Sequence, residues 1–283
     1  HWIVKGNGNQ KDIRFTTADS RLFDGNLTAN GYYIFDQRKW YVSADGRKLD
    51  LKILSPSLPN SISFKTNSSG KLNNHNPINA SLSGSLSNTE NNMNFNIQYN
   101  GTKHFNAKWT AKLKKLSTVS NLVKGNIIST GQLKRDNNTF TGSGSITGNA
   151  NYGNYVINEL DSYWKINNNK GEIQTKSNLI SIGKTTFTNI TAKLTGDEKK
   201  HQTALKFNYQ DAAISLQGKG THAHPQEWNE SVTGLHIQQQ DLDIKNTKPI
   251  SIDYENGYVK IPQFSLMNHS KRFINLSFQT TPT

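Results

Sequence analysis

Residues 203–222 read TALKFNYQDAAISLQGKGTH. Leu205, Phe207 and Tyr209 alternate with Lys206, Asn208 and Gln210, and Ile214, Leu216 and Gly218 then alternate with Ser215, Gln217 and Lys219. A period of two places alternate side chains on opposite faces of an extended strand, one apolar and one polar. The same alternation runs from IRFTT at 13–17 to INLSFQ at 274–279, so the chain reads as all-β.

Working outward, the strands come in hairpins. MNFNIQYN (93–100) puts Phe95, Ile97 and Tyr99 on one face, and FNAKWTAKL (105–113) continues with Phe105, Ala107, Trp109, Ala111 and Leu113. Asn100-Gly101 between them is a hairpin signal. Further turns are expected at Asn30-Gly31, at the Ser-Gly of SISFKTNSSGKLN (61–73), at Asn167–Gly171, at Glu255–Gly257 and at Asn268–Ser270. The Asn/Ser-rich piece 66–79 reads as a flexible loop, and PQEWNES (225–231) as a short helix. No linker divides the chain, so residues 1–283 are expected to form one elongated segment, and the mid-phrase opening HWIVKGNGNQ reads as part of a longer protein.

Composition limits what such a sheet can bury. Hydrophobic residues make up 33% of 283 residues, about 40% with glycine, against the 45–50% of an average soluble domain. Aromatics at 10% argue for a folded chain. A one-sided apolar sheet with little core material fits an elongated form.

The net charge of +13 raises the question of nucleic acid or anionic membrane. The basic residues are spread singly over the polar positions of strands, with KLKK at 112–115 the densest group, which favours a solvated outer face. With no cysteine, disulfides, thiolate metal sites and thiol catalysis are excluded. No run of 18 apolar residues crosses a membrane as a helix.

Chemistry-bearing motifs are missing: no G-x-S-x-G, H-E-x-x-H or phosphate-binding loop occurs, and the chain is expected to be neither an enzyme nor the holder of a cofactor or metal. His222 and His224 read as a polar turn before Pro225, and His201 in KKHQT as an edge or turn residue. Asp241, Asp243 and Asp253 read as a solvated strand face, and Tyr32, Tyr33, Trp40 and Tyr41 as strand-face packing.

The order of elements over 185–279 resembles the TamB family of large AsmA-like proteins. The resemblance rests on Leu194-Thr195-Gly196, His201 leading LKFNY, ISLQGKG, Trp228 before VTGLHI, and a strand ending near Pro249. Gly196, His201, Trp228, Leu235, Ile237, Pro249 and Ile252 fall at matching places. KILSPSLPNSISFKTNSSGKL and GQLKRDNNTFTGSGSITGNANYGNYVINEL resemble earlier passages of the family, so the likeness spans most of 25–279. Asp197 departs from the family's usual Thr, and Ser265 and Ser277 stand near its usual Cys pair.

The resemblance implies a long, mostly antiparallel sheet curled into an open trough, a β-taco, with an apolar interior. It also implies a periplasmic location, as part of a protein anchored in the inner membrane of a Gram-negative bacterium. The implied function is phospholipid transport, with acyl chains as partners. The alternative is a scaffold or chaperone for outer-membrane protein assembly with a TamA-type barrel. An adhesin or a carbohydrate-binding sandwich is the reading outside the family. Antiparallel strands with one apolar face can curl until those faces look across a narrow groove, and acyl chains then complete the burial at roughly 0.8 kcal/mol per methylene. On this reading the groove is lined by Phe95, Ile97, Tyr99, Trp109, Leu205, Phe207, Ile214, Leu216, Ile261, Phe264 and Leu266.

Overall fold

The computed structural model describes residues 4–17, 20–58, 61–73, 76–101, 103–197, 199–224, 227–255, 257–269 and 271–279. The chain is all-β, and every ladder is antiparallel. Close contacts group it into two units, His1–Gly153 and Asn154–Thr283.

The first unit holds β1 (Val4–Gly8), β2 (Asp12–Thr17), β3 (Ser20–Leu22), β4 (Gly25–Ile34), β5 (Lys39–Leu49), β6 (Ile62–Asn73), β7 (Asn76–Ser87), β8 (Asn91–Asn100), β9 (His104–Leu113), β10 (Val123–Asp136) and β11 (Thr139–Tyr152). From β4 to β11 each strand pairs with the next in sequence, while β2 and β3 lie end to end along β4, and β1 pairs with β2. The helical content among the described residues is two single 3-10 turns, Leu51–Ile53 and Leu116–Thr118.

The second unit holds β12 (Tyr155–Asn167), β13 (Lys170–Ile182), β14 (Thr185–Gly196), β15 (Lys200–Tyr209), β16 (Ala212–His224), β17 (Glu227–Gln239), β18 (Leu242–Asn246), β19 (Ile250–Glu255), β20 (Tyr258–Asn268) and β21 (Lys271–Gln279). Here too the order follows the sequence, except that β18 and β19 lie end to end along β17 and both pair with β20.

Tight turns make this meander. Asn137, and the pair Asn168 and Asn169, take positive φ (56°, 50° and 63°) between adjacent strands, a conformation Asn tolerates well. Gly101 (φ 63°) follows β8 as the Asn-Gly signal predicts. Two other glycines expected in turns do not stand in one. Asn30-Gly31 lies inside β4 and Gly70 inside β6, so neither reverses the chain. Residues 66–73 and 76–79, expected as a loop, are strand; 74 and 75 lie outside the described residues. The helix expected at 225–231 is also corrected. Residues 227–231 open β17, alternating Trp228 and Glu230 against Asn229 and Ser231, and 225 and 226 lie outside the described residues. His222 and His224 stand on β16, not in a turn.

Little of this sheet is core. The buried apolar residues among those described are Leu49, Ala111, Leu116, Ile190, Ala212, Val232, Ile250 and Leu266. Exposed large apolar residues are more numerous and include Leu82, Ile146, Ile173, Leu194, Leu276 and Phe278. Among the described residues, the strands that approach one another most closely are ladder neighbours.

Candidate functional site

Register turns the alternation into two faces. In the first unit Gly84, Phe95, Trp109 and Gly131 form one row across β7 to β10. Leu82, Ile97, Ala107 and Leu133 form the next, and Ala80, Tyr99 and Phe105 another. The opposite face carries Ser83, Asn96, Lys108 and Gln132 in register, with Lys65, Lys71, Lys112 and Lys134 nearby. Phe95, Ile97, Tyr99 and Trp109 therefore share the apolar face, half-buried.

The second unit repeats the division. Ala192, Leu205, Leu216 and Leu235 stand in one row. Phe207, Ile214, Ile237 and Ile244 stand in the next. Phe207 packs edge-on against Phe187 with ring centroids 5.4 Å apart. Lys206, Ser215, His236 and Lys245 occupy the opposite face. On β20 an extra residue between Ile261 and Phe264 keeps both in line with Phe278 and Leu276 of β21, and Leu266 follows opposite Asn246. Leu266 is buried, a core residue of this face, while Ile261 and Phe264 are half-buried.

Several apolar-face aromatics lie over glycines directly opposite on the neighbouring strand. A methyl group on Gly31 would come within 2.7 Å of Phe15 Cε1, on Gly46 within 2.5 Å of Phe64 Cε1, and on Gly70 within 2.2 Å of Trp40 Cη2. These glycines give rings room to lie on the sheet, which is why a residue that weakens strands stands in their middle. Tyr33 and Trp40 pair on this face, whereas Tyr32 and Tyr41 stack on the opposite one at 5.7 Å. The four tyrosine and tryptophan side chains are thus divided between the faces and form no common platform.

One ionisable cluster interrupts the apolar face. His201, Gly220, Glu230 and Ile252 share a row, and Thr203, Gly218 and Val232 the next. Glu230 is buried; its Oε2 is 2.7 Å from His201 Nε2, and its Oε1 accepts a 2.7 Å hydrogen bond from Thr203 Oγ1. The pair spans from β15 to β17 across β16, possible because Gly218 and Gly220 put no side chain in the way: a methyl group on Gly220 would sit 2.1 Å from His201 Cε1. His201 is therefore a partnered residue on the strand face, not the edge or turn residue expected. The signal for it is G-K-G at 218–220, two glycines one pleat apart, opposite a His and an x-E-x strand.

The polar face holds open ion pairs. The Lys245 ammonium, then His236, hold the Asp243 carboxyl below the usual carboxylate range, and Arg47 does the same for Asp45. Asn229 bonds Asp253, and Asp241 is exposed. Shallow concavities on this side are lined by Thr195, Gln202 and Lys219. Among the described residues no three His, Asp or Glu side chains gather in a way that would hold a metal ion. His222 and His224 side chains lie outside the description. No known protein family, curated protein or solved structure matches the chain.

Proposed function

We propose that this chain is a segment of a phospholipid conduit in which the apolar face shields acyl chains, working in the periplasm between the inner and outer membranes as the likeness to TamB-like proteins implies. The observation that carries the reading is the half-buried face of apolar rows, with rings laid on glycines and the lysines of β6, β9 and β10 on the other side. A soluble chain rarely leaves so much contiguous apolar surface without a ligand to cover it. Acyl chains suit such a surface because burying methylenes requires no directional partner. The repeated rows offer many similar positions, so a lipid is held without a single deep resting place. Lysines on the polar face keep the outside solvated.

In-cell photo-crosslinking tests this. A photoreactive residue at Phe207 is expected to capture phospholipid, and one at Lys206, on the opposite face, is not. No lipid at 207, or equal lipid at both, would overturn the conduit.

A second reading, addition of a client strand to a sheet edge during outer-membrane protein assembly with a TamA-type partner, has one observation in its favour. Among the described residues β21 has a ladder partner on one side only, β20. Protein adducts at β21 in place of lipid at 207 would favour it.

A further inference from the structure

Phe95 and Trp109 face each other across the β8–β9 ladder, yet each ring lies over the strand on its far side. A methyl group on Gly131 of β10 would meet the indole first, at 2.2 Å from Trp109 Cζ2 and 2.6 Å from Cη2, whereas one on Gly84 of β7 would meet the Lys65 carbonyl oxygen at 2.4 Å before Phe95 Cζ at 3.0 Å. The two rings therefore splay apart and cover four strands in one layer. Trp109 Nε1 donates to Ser129 Oγ at 3.1 Å, two residues before Gly131. Trp40 repeats the arrangement: it lies over Gly70, and its Nε1 donates to Ser68 Oγ at 3.3 Å, again two residues before the glycine. A Ser-x-Gly segment thus forms the seat of an indole at 68–70 and at 129–131.

A ring lying on a sheet adds about one van der Waals layer of 3.5–4 Å, and one displaced upright projects further into the space above. We propose that Gly131 is the residue that sets the clearance above this face, by letting Trp109 lie down and leave room for an unbranched acyl chain. The proposal rests on the lipid reading and specifies its ligand. The floor presents ring faces, and its indole N–H groups are already bonded to serine. A plain alkyl chain is held there by burial alone, whereas a chain bearing a hydroxyl group forfeits the hydration of that group and gains no indole donor in return. A bulkier residue at Gly131 lifts the indole and reduces the clearance above it.

The test uses the purified chain with vesicles of phosphatidylethanolamine and phosphatidylglycerol containing a phospholipid with a fluorescent acyl chain. Probe carried by the protein is measured after the vesicles are removed. The unaltered chain is expected to carry probe, and Gly131→Ala to carry about tenfold less, with unchanged far-UV circular dichroism. The double variant Gly131→Leu with Trp109→Ala removes the ring that the leucine would lift and is expected to restore binding to within about threefold, as a roughly volume-conserving exchange. Absence of probe on the unaltered chain overturns the lipid reading and the clearance role together. Equal probe on the unaltered chain and on folded Gly131→Ala overturns the clearance role alone. Should Gly131→Ala not fold, the double variant decides: probe binding near that of the unaltered chain supports the proposal, and a folded protein without probe overturns it.

Discussion

His201 and Glu230 meet across an intervening strand: Nε2 and Oε2 are 2.7 Å apart although β16 separates their own strands. The side chains are 24% and 11% exposed, so the pair is largely out of water. Removing one partner of such a pair strands the other, and Glu230→Ala is expected to cost about 3 kcal/mol. Gly220→Ala should cost a similar amount, because its methyl group would occupy the space of the imidazole. Replacing both ionisable residues, as His201→Leu with Glu230→Leu, should recover most of the loss. Urea unfolding midpoints with unchanged m-values would check all three.

Asn246 takes the place of a missing strand. Between β18 and β19 the ladder along β17 is broken, and Pro249 has no N–H to offer there. The Asn246 side chain accepts from Leu235 N at 2.8 Å and donates towards Val232 O at 3.2 Å and Lys248 O at 2.9 Å. Asn246→Ala leaves those backbone groups without their partner and should cost about 2 kcal/mol. Faster hydrogen exchange at the Leu235 amide, with slow exchange retained in β15, would locate the loss at the break.

Acid should loosen the polar face of the second unit. The Asp243 carboxyl is held low by its bond from Lys245 and then by His236, and that of Glu172 by Gln174 and then Lys193. A carboxylate with a lower pKa folded than unfolded stabilises the fold above its ordinary pKa, and the contribution disappears as pH falls through the folded value. Both groups are solvent-accessible, so the effect is a shallow limb rather than a collapse. Asp243→Asn should lower the unfolding midpoint slightly at neutral pH and leave it unchanged in acid below the folded pKa, so that the fall between the two becomes flatter.

How much of this was legible in the sequence follows from the range of each signal. Alternation is local, so Leu205, Phe207, Ile214 and Leu216 read correctly as one face from residues 203–222 alone. Phe95, Ile97, Tyr99 and Trp109 read correctly because Asn100-Gly101 fixes their hairpin. Gly31 and Gly70 were mistaken for turns because glycine has two uses in a β chain. Which one applies depends on a partner strand, Phe15 for one and Trp40 for the other, that no local pattern reveals. His201 and Glu230 are 29 residues apart, and only the register of three strands brings them together. Ile261 and Phe264 differ by three positions and would fall on opposite faces of a regular strand; the extra residue opposite β21 aligns them.

The two faces should respond oppositely to one charge. Phe207 and Lys206 are neighbours in sequence and face opposite ways, with the same two strands on either side. Phe207→Asp puts a carboxylate among Leu205, Ile214 and the edge of Phe187, replacing a half-buried ring, and should cost about 1–2 kcal/mol. Lys206→Asp changes a solvated position and should stay within about 0.5 kcal/mol. The ladder bonds are main-chain in both, so both variants should keep their strand signal. Phospholipid recovered with the purified protein and weighed by mass spectrometry should fall several-fold with Phe207→Asp and hold steady with Lys206→Asp, since a charge beside an acyl chain loses hydration without gaining a partner. Equal lipid in both folded variants would mean that the face bearing Phe207 is not where acyl chains lie.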